Sequence, residues 1–169
     1  MTEATLSAPQ TLSDGHQLAD FECGEPSLDD WLKRRAARNQ ANGSSRTYVV
    51  CEGDAVIGYY CLAAGAIGHT EAPSALKRNP PDPIPVLVLG RLAIHKDHHQ
   101  KGIGTALLND AIRRAIQAAD IAGVTALLVQ AISEQARRFY LSRGFVVSPI
   151  KPMTLCLMLA TVRQALREP

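Results

Sequence analysis

The stretch RLAIHKDHHQKGIGTALL, Arg91 to Leu108, decides how this chain is read. Gly102 and Gly104 flank one isoleucine directly before an apolar run with helical spacing. A helix N-terminus offers unpaired N–H groups and the positive end of a dipole, and glycines before it let the backbone approach an anion closely. Gln100, Lys101, Gly102, Ile103, Gly104 and Thr105 therefore line up successive amide donors and one cation. No Gly-Lys-Ser/Thr follows, so this is not a Walker A loop. Leu107 stands where a GxGxxG turn has its third glycine, which argues against a Rossmann dinucleotide site. Local pattern alone leaves two readings open, a phosphate cradle or a plain turn between strand and helix.

Working outward, Val86 to Ile94 (VLVLGRLAI) is nearly all apolar, as a strand buried on both faces would be, and Gly90 inside it suggests a bulge or a close approach. The loop leads into a helix from about Gly104 to Ala119, with Leu108, Ile112, Ala115 and Ala119 on one side. Asn109, Asp110, Arg113, Arg114 and Gln117 populate the other side. Before the strand, Asp29 to Ala41 reads as a helix capped by Ser27, with Trp31, Leu32, Ala36 and Ala37 as its apolar face. Thr47 to Glu52 and Ala55 to Ala64 form a hairpin across Gly53-Asp54. Gly65 to Pro85 is a long loop, whose prolines exclude helix and central strand. After the central helix come a strand Val124 to Gln130, a helix Ser133 to Arg143 capped by Ser133 and stopped by Gly144, strands Phe145 to Val147 and Thr154 to Leu159, and a short helix Thr161 to Arg167. The expected architecture is α/β, one domain over residues 1–169 with a mixed central sheet flanked by helices.

Composition is that of an ordinary soluble domain, with 46% apolar and 20% charged residues over 169 positions. A net charge of +2 does not by itself mark a polyanion binder, so local clustering carries more information. No basic segment followed by an apolar one opens the chain, and no apolar run is long enough to cross a bilayer, so a cytoplasmic protein is expected. The four cysteines are scattered without a Cys-x-x-Cys pair and are expected reduced and buried. His95, His98 and His99 invite a metal reading, but no Cys or carboxylate accompanies them at ligand spacing, and no metal is expected.

The run RLAIHKDHHQKGIGTALL, together with the later ARRFYLSRGF, resembles the GNAT-type N-acetyltransferase superfamily. In that family a bulged strand precedes an Arg/Gln-x-x-Gly-x-Gly/Ala loop that grips the pyrophosphate of acetyl-CoA. The resemblance implies acetyl-CoA as co-substrate, held by residues 99–105, with Leu92, Ala93 and Ile94 facing it. Ser133, Ala136 and Phe139 are implied to line the same groove. One departure shows: His99 stands at the family's leading Arg or Gln, and Gln100 where glycine is common.

Family members carry a tyrosine four residues before the Gly-Phe that ends the later helix, which matches Tyr140 before Gly144-Phe145. The resemblance implies that this hydroxyl protonates the departing thiolate. A phenol with a pKa near 10 is protonated at neutral pH and suits a general acid. No carboxylate or histidine stands out as a general base. Deprotonating a lysine at pH 7 costs about 4–5 kcal/mol, against about 1 for an α-amine. A site without a strong base therefore favours an α-amino acceptor.

A narrower resemblance covers most of the chain. LADFECGEPSLDDWLKRRAARNQANGSSRTYVV looks like the entry segment of the GNAT toxins of toxin–antitoxin pairs, matching at Phe21, Cys23, Gly24, Leu28, Asp29, Trp31, Leu32, Arg46, Thr47, Tyr48 and Val49. That group acetylates the α-amine of the amino acid on charged tRNA and so blocks translation. Its members are commonly dimers, neutralised by a ribbon-helix-helix antitoxin that also represses the operon, so operator DNA is reached only through the antitoxin. On this view Lys33, Arg34, Arg35, Arg38, Arg46, Lys77, Arg78 and Arg91 are candidates for aminoacyl-tRNA phosphates. A solvated basic helix face is the other reading of that cluster. The competing functions are a housekeeping GNAT enzyme acting on a small-molecule or protein amine, and a binding module that has lost turnover.

Overall fold

Two β-rich runs meet at Gly53, whose φ of +62° suits the tight reversal between them. In the computed structural model, which describes residues 5–77 and 80–167, they form β2 (Arg46–Glu52) and β3 (Ala55–Ile67). Their antiparallel register runs from Arg46↔Leu62 to Glu52↔Ala55, with an irregularity between Val50 and Cys51. A short β1 (Gln10–Thr11), not expected from the sequence, pairs with β2 on its other side. The remaining strands are β4 (Ile84–Ile94), β5 (Ala126–Gln130), β6 (Val146–Val147) and β7 (Thr154–Met158). They complete a seven-stranded mixed sheet in the order β1-β2-β3-β4-β5-β7-β6. The helices are α1 (Pro26–Arg34), α2 (Ala36–Ala41), α3 (Ile103–Ile121), α4 (Glu134–Ser142) and α5 (Leu159–Arg167).

The chain falls into two compact units. One comprises the residues up to Ala63 with Gly90–Ala111, the other Ala64–Leu89 with the chain from Ile112 onward. In the first, Phe21, Leu28, Leu32, Ala36, Val49 and Tyr59 form the heart of an apolar core. Tyr59 is fully buried, takes the edge of Phe21, stacks on Trp31 and donates to the Leu28 carbonyl at 2.7 Å. Burial pushes its phenol far up from the ordinary tyrosine value. Gly58 is required by packing: a Cβ there would lie 3.0 Å from Ile94 Cδ1 and 3.1 Å from Leu107 Cδ1.

Several expectations change here. The single helix over Asp29 to Ala41 is α1 and α2, offset at Arg35 (φ −119°, ψ −33°). The bonds Arg35 N to Trp31 O and Asn39 N to Arg35 O run across the offset, both at 2.8 Å. Ser27 is not the cap. Pro26, which lacks an N–H and is already set for helical φ, takes the start of α1 behind Glu25, and Asp29 instead reaches back to accept from Cys23 N at 2.9 Å. Ala37 is exposed, and Leu28 takes its place on the apolar face. Asp110, expected on the outer side of α3, is buried and accepts a hydrogen bond from Tyr60.

In the second unit, Ile67, Ala72, Leu76, Ile84, Val86, Ala126, Leu128 and Cys156 pack as a core. β4 runs parallel to β5 over Leu87–Leu89, β5 runs antiparallel to β7, and β6 closes on β7. The long loop is shorter than expected, since β3 continues to Ile67 and β4 begins at Ile84. Pro85 lies in β4 ahead of the residues that pair with β5, which start at Leu87, so its missing N–H interrupts none of those described bonds. Arg163 of α5 pairs with Asp120 at 2.7 Å and donates to the Ile116 carbonyl, fastening α5 to the end of α3. All four cysteines are free and buried, as expected.

Candidate active site

β4 is not sealed on both faces. Ile84, Val86, Leu89 and Ala93 are buried, whereas Leu87, Val88, Arg91, Leu92 and Ile94 are half-buried and Gly90 is exposed. The buried positions change parity between Val86 and Leu89, although β4 is one strand over Ile84–Ile94 with an even register to β5 over Leu87–Leu89. Of the two readings of Gly90, the close approach is seen, because a Cβ there would lie 2.9 Å from Cys61 Sγ. Of the three strand residues assigned to the cofactor, Ala93 points its methyl into the first unit's core, so only its backbone is available.

Beyond Ile94 the chain turns through a 3-10 segment, Lys96–His98. His95 N donates to Ile57 O at 2.7 Å, and Asp97 N donates to His95 Nδ1. Gln100 then takes φ +63° and Gly102 φ +78°, two left-handed residues in three. Gln100 stands in the conformation that the family's common glycine would adopt without strain; for an L residue it costs on the order of 1 kcal/mol. Ile103 is buried and anchors the start of α3, while Gln100, Lys101 and Gly102 are exposed and Gly104 and Thr105 half-buried. The bond from Ala106 N to Gly102 O, 3.1 Å, is an i to i−4 bond of the first turn, so the amides of Ile103 and Gly104 precede any intrahelical acceptor. An exposed Lys101, a left-handed glycine and a helix start together place several donors in succession, an arrangement suited to an anion.

The three histidines turn to three different partners. His95 Nε2 lies 3.1 Å from Asp20 O, His98 Nε2 lies 3.3 Å from Glu52, and His99 Nε2 lies 2.7 Å from Ile94 O. His98 Nδ1 is buried without a hydrogen-bond partner among the described residues. No three His, Cys, Asp or Glu side chains among the described residues are grouped to hold a metal ion. A cleft of about 450 Å³ opens beside His95 and His98, lined also by Leu18, Phe21, Glu52 and Ile57, but no residue of the 99–105 loop lines it.

Arg91 is more elaborately held than the sequence suggested. Its guanidinium lies 4.4 Å from the centre of the Trp31 ring, which itself stacks on Tyr59. Burial pushes the Cys61 thiol up, and hydrogen bonding and charge from Arg91 act against that rise. Lys33, Arg34, Arg35, Arg38, Arg46 and Lys77 are exposed, and their side chains make no ion pair among the described residues. Arg78 lies outside the described residues.

In the second unit, Ser133 caps α4 as expected, its Oγ accepting from Ala136 N at 3.1 Å. Gly144, φ +93°, ends the helix, and Phe145 N returns to Tyr140 O. Tyr140 is 7% exposed between Phe139 and Phe145, each ring 5.3 Å away. Its hydroxyl has no hydrogen-bond partner among the described residues, and burial pushes its pKa up to about 12. A phenol in that state keeps its proton throughout the neutral and mildly alkaline range and is free to donate it.

The chain belongs to the GNAT acetyltransferase family, matching the acetyltransferase (GNAT) domain over residues 43–147. It is 45% identical over 157 residues, 93% of this chain and 95% of the relative, to a tRNA-acetylating toxin of Mycobacterium tuberculosis. Among solved structures, AtaT complexed with acetyl-methionyl-tRNAfMet is similar at a TM-score of 0.88 and 28% identity, covering 96% of this chain and 99% of that one. A tyrosine-to-phenylalanine variant of AtaT bound to the C-terminus of the antitoxin AtaR and acetyl-CoA gives 0.81 and 27%, with 96% and 99% coverage.

Proposed function

We propose that this acetyltransferase is the toxin of a toxin–antitoxin pair, transferring acetyl from acetyl-CoA to the α-amine of an aminoacyl-tRNA and so stopping translation. The observation that carries this reading is the 45% identity to a tRNA-acetylating toxin over 93% of the chain. Acetyl-CoA supplies the acyl group when bound. The amides of residues 100–104 and the Lys101 ammonium suit its pyrophosphate, and the half-buried Leu92 and Ile94 suit its pantetheine arm. As the C–N bond forms and the C–S bond breaks, Tyr140 gives its hydroxyl proton to the departing sulfur, and the α-amine releases one proton to solvent, from which the phenolate is reprotonated. An α-amine needs no strong base at neutral pH, in keeping with the absence of one from the motif residues.

Lys33, Arg34, Arg35, Arg38 and Arg46 provide exposed cations for tRNA phosphates, and Arg91 one held against Trp31. A ribbon-helix-helix antitoxin that neutralises the enzyme and carries it to operator DNA, and a homodimeric enzyme, complete the reading. AtaT held by the C-terminus of its antitoxin is the supporting precedent. The test is purified protein incubated with labelled acetyl-CoA and a pool of aminoacylated tRNAs. Label on the aminoacyl group is expected, and its loss in Tyr140→Phe. Label on peptide lysines or free amines alone would establish a housekeeping acetyltransferase instead.

A further inference from the structure

The residue that departs from the family pattern at the head of the phosphate-binding loop does not extend toward an anion. A carbonyl only accepts, so the 2.7 Å contact fixes the proton of His99 on Nε2, which donates to Ile94 O. The far end of this bond is rigid. Ile94 is the last residue of β4, its Cδ1 sits where a Cβ on Gly58 would meet it at 3.0 Å, and the next amide, His95 N, is bonded to Ile57 O. The near end adjoins Gln100, whose φ of +63° an L side chain rarely adopts. With no glycine at position 100, the backbone does not prefer this shape unaided, and something outside it must hold it. The bond from His99 spans the 3-10 segment and ties the turn to the strand.

We propose that His99 is a positioning residue: through Nε2 and the Ile94 carbonyl it fixes the Gln100–Gly102 backbone in the shape that offers its amides to a pyrophosphate, without touching the phosphate itself. The arginine or glutamine that the family resemblance places here is likewise a side-chain N–H donor able to make such a tie. The inference rests on the reading of this turn as the acetyl-CoA cradle.

The experiment compares acetyl-CoA with S-acetyl-pantetheine, a donor without pyrophosphate, in aminoacyl-tRNA acetylation by wild type, His99→Ala, His99→Gln and His99→Arg. His99→Ala is expected to raise KM for acetyl-CoA roughly three- to tenfold, the worth of one hydrogen bond, with kcat little changed. With S-acetyl-pantetheine the alanine variant should match wild type. His99→Gln, whose amide nitrogen can occupy the Nε2 position, should restore KM. An unchanged KM in His99→Ala, or an equal loss with both donors, overturns the proposal. So does His99→Arg binding acetyl-CoA more tightly than wild type while His99→Gln behaves like alanine, since that marks a direct phosphate ligand. Wild type that transfers acetyl from neither donor overturns the cradle reading and this inference with it, whereas wild-type turnover with an indifferent His99 overturns this inference alone.

Discussion

Tyr140 is enclosed by Phe139 and Phe145, and its hydroxyl has no hydrogen-bond partner among the described residues, which separates its chemistry from its contribution to the fold. Replacing it with phenylalanine should lower acetyl transfer by about 10²–10⁴-fold, the usual worth of a positioned acid, while leaving the midpoint of denaturant unfolding at pH 7–9 nearly unchanged. The two proteins should part in alkali. The unfolded phenol ionises near 10 and the folded one near 12, so both are protonated below pH 10 and the stability difference is then flat. Between pH 10 and 12 the unfolded state loses its proton first, and wild type should lose about 2–3 kcal/mol relative to Tyr140→Phe. Parallel stability curves would show that the tyrosine is not held protonated by burial. Gln100 offers a second test: Gln100→Gly should be neutral or stabilising by up to about 1 kcal/mol, and Gln100→Val destabilising by about 1–2 kcal/mol. A valine variant as stable as wild type would mean that the turn does not use this conformation.

Among the elements, β4 shows most clearly what the sequence made legible. VLVLGRLAI announced a strand and Gly90 a bulge or a close approach; the strand runs unbroken over Ile84–Ile94, and the close approach, to Cys61 Sγ, is there. The half-exposed side of the strand was hidden, because apolar letters look alike whether they meet a core or a groove. Ser133 and Gly144 delimited α4 correctly, since caps are local chemistry. Asp110 and the Trp31–Arg91 stack were illegible, because each depends on partners dozens of residues away, Tyr60 in the first case and a facing helix in the second. The close approach at Gly90 carries its own prediction. Gly90→Ala should cost about 1–3 kcal/mol by driving a methyl against Cys61 Sγ, and Cys61→Ala in the same chain should recover much of that loss. Additive costs in a double-mutant cycle of thermal unfolding would exclude that contact as the cause.

For the molecule as a whole, a net charge of +2 conceals an uneven distribution. Lys33, Arg34, Arg35 and Arg38 lie within six consecutive positions and are all exposed, whereas Glu134, Asp120 and Glu71 are each tied to a cation elsewhere. If the basic run meets tRNA, log KM for the aminoacyl-tRNA rises with log salt, and replacing Arg34, Arg35 and Arg38 by alanine lowers the slope by about 0.7–0.9 per phosphate contact removed. KM for acetyl-CoA should stay unchanged in the same variant. An unaltered salt slope in steady-state assays would return these arginines to the role of a solvated helix face.

Trp31 is the only tryptophan in the sequence, and it lies against Arg91 on a ring already stacked with Tyr59. Its intrinsic emission is therefore a single-site optical probe, present without labelling, of the guanidinium beside it. Any anion that draws Arg91 away from the indole will change the polarity and quenching around one fluorophore, so occupancy at this strand can be followed by titration in the unmodified protein.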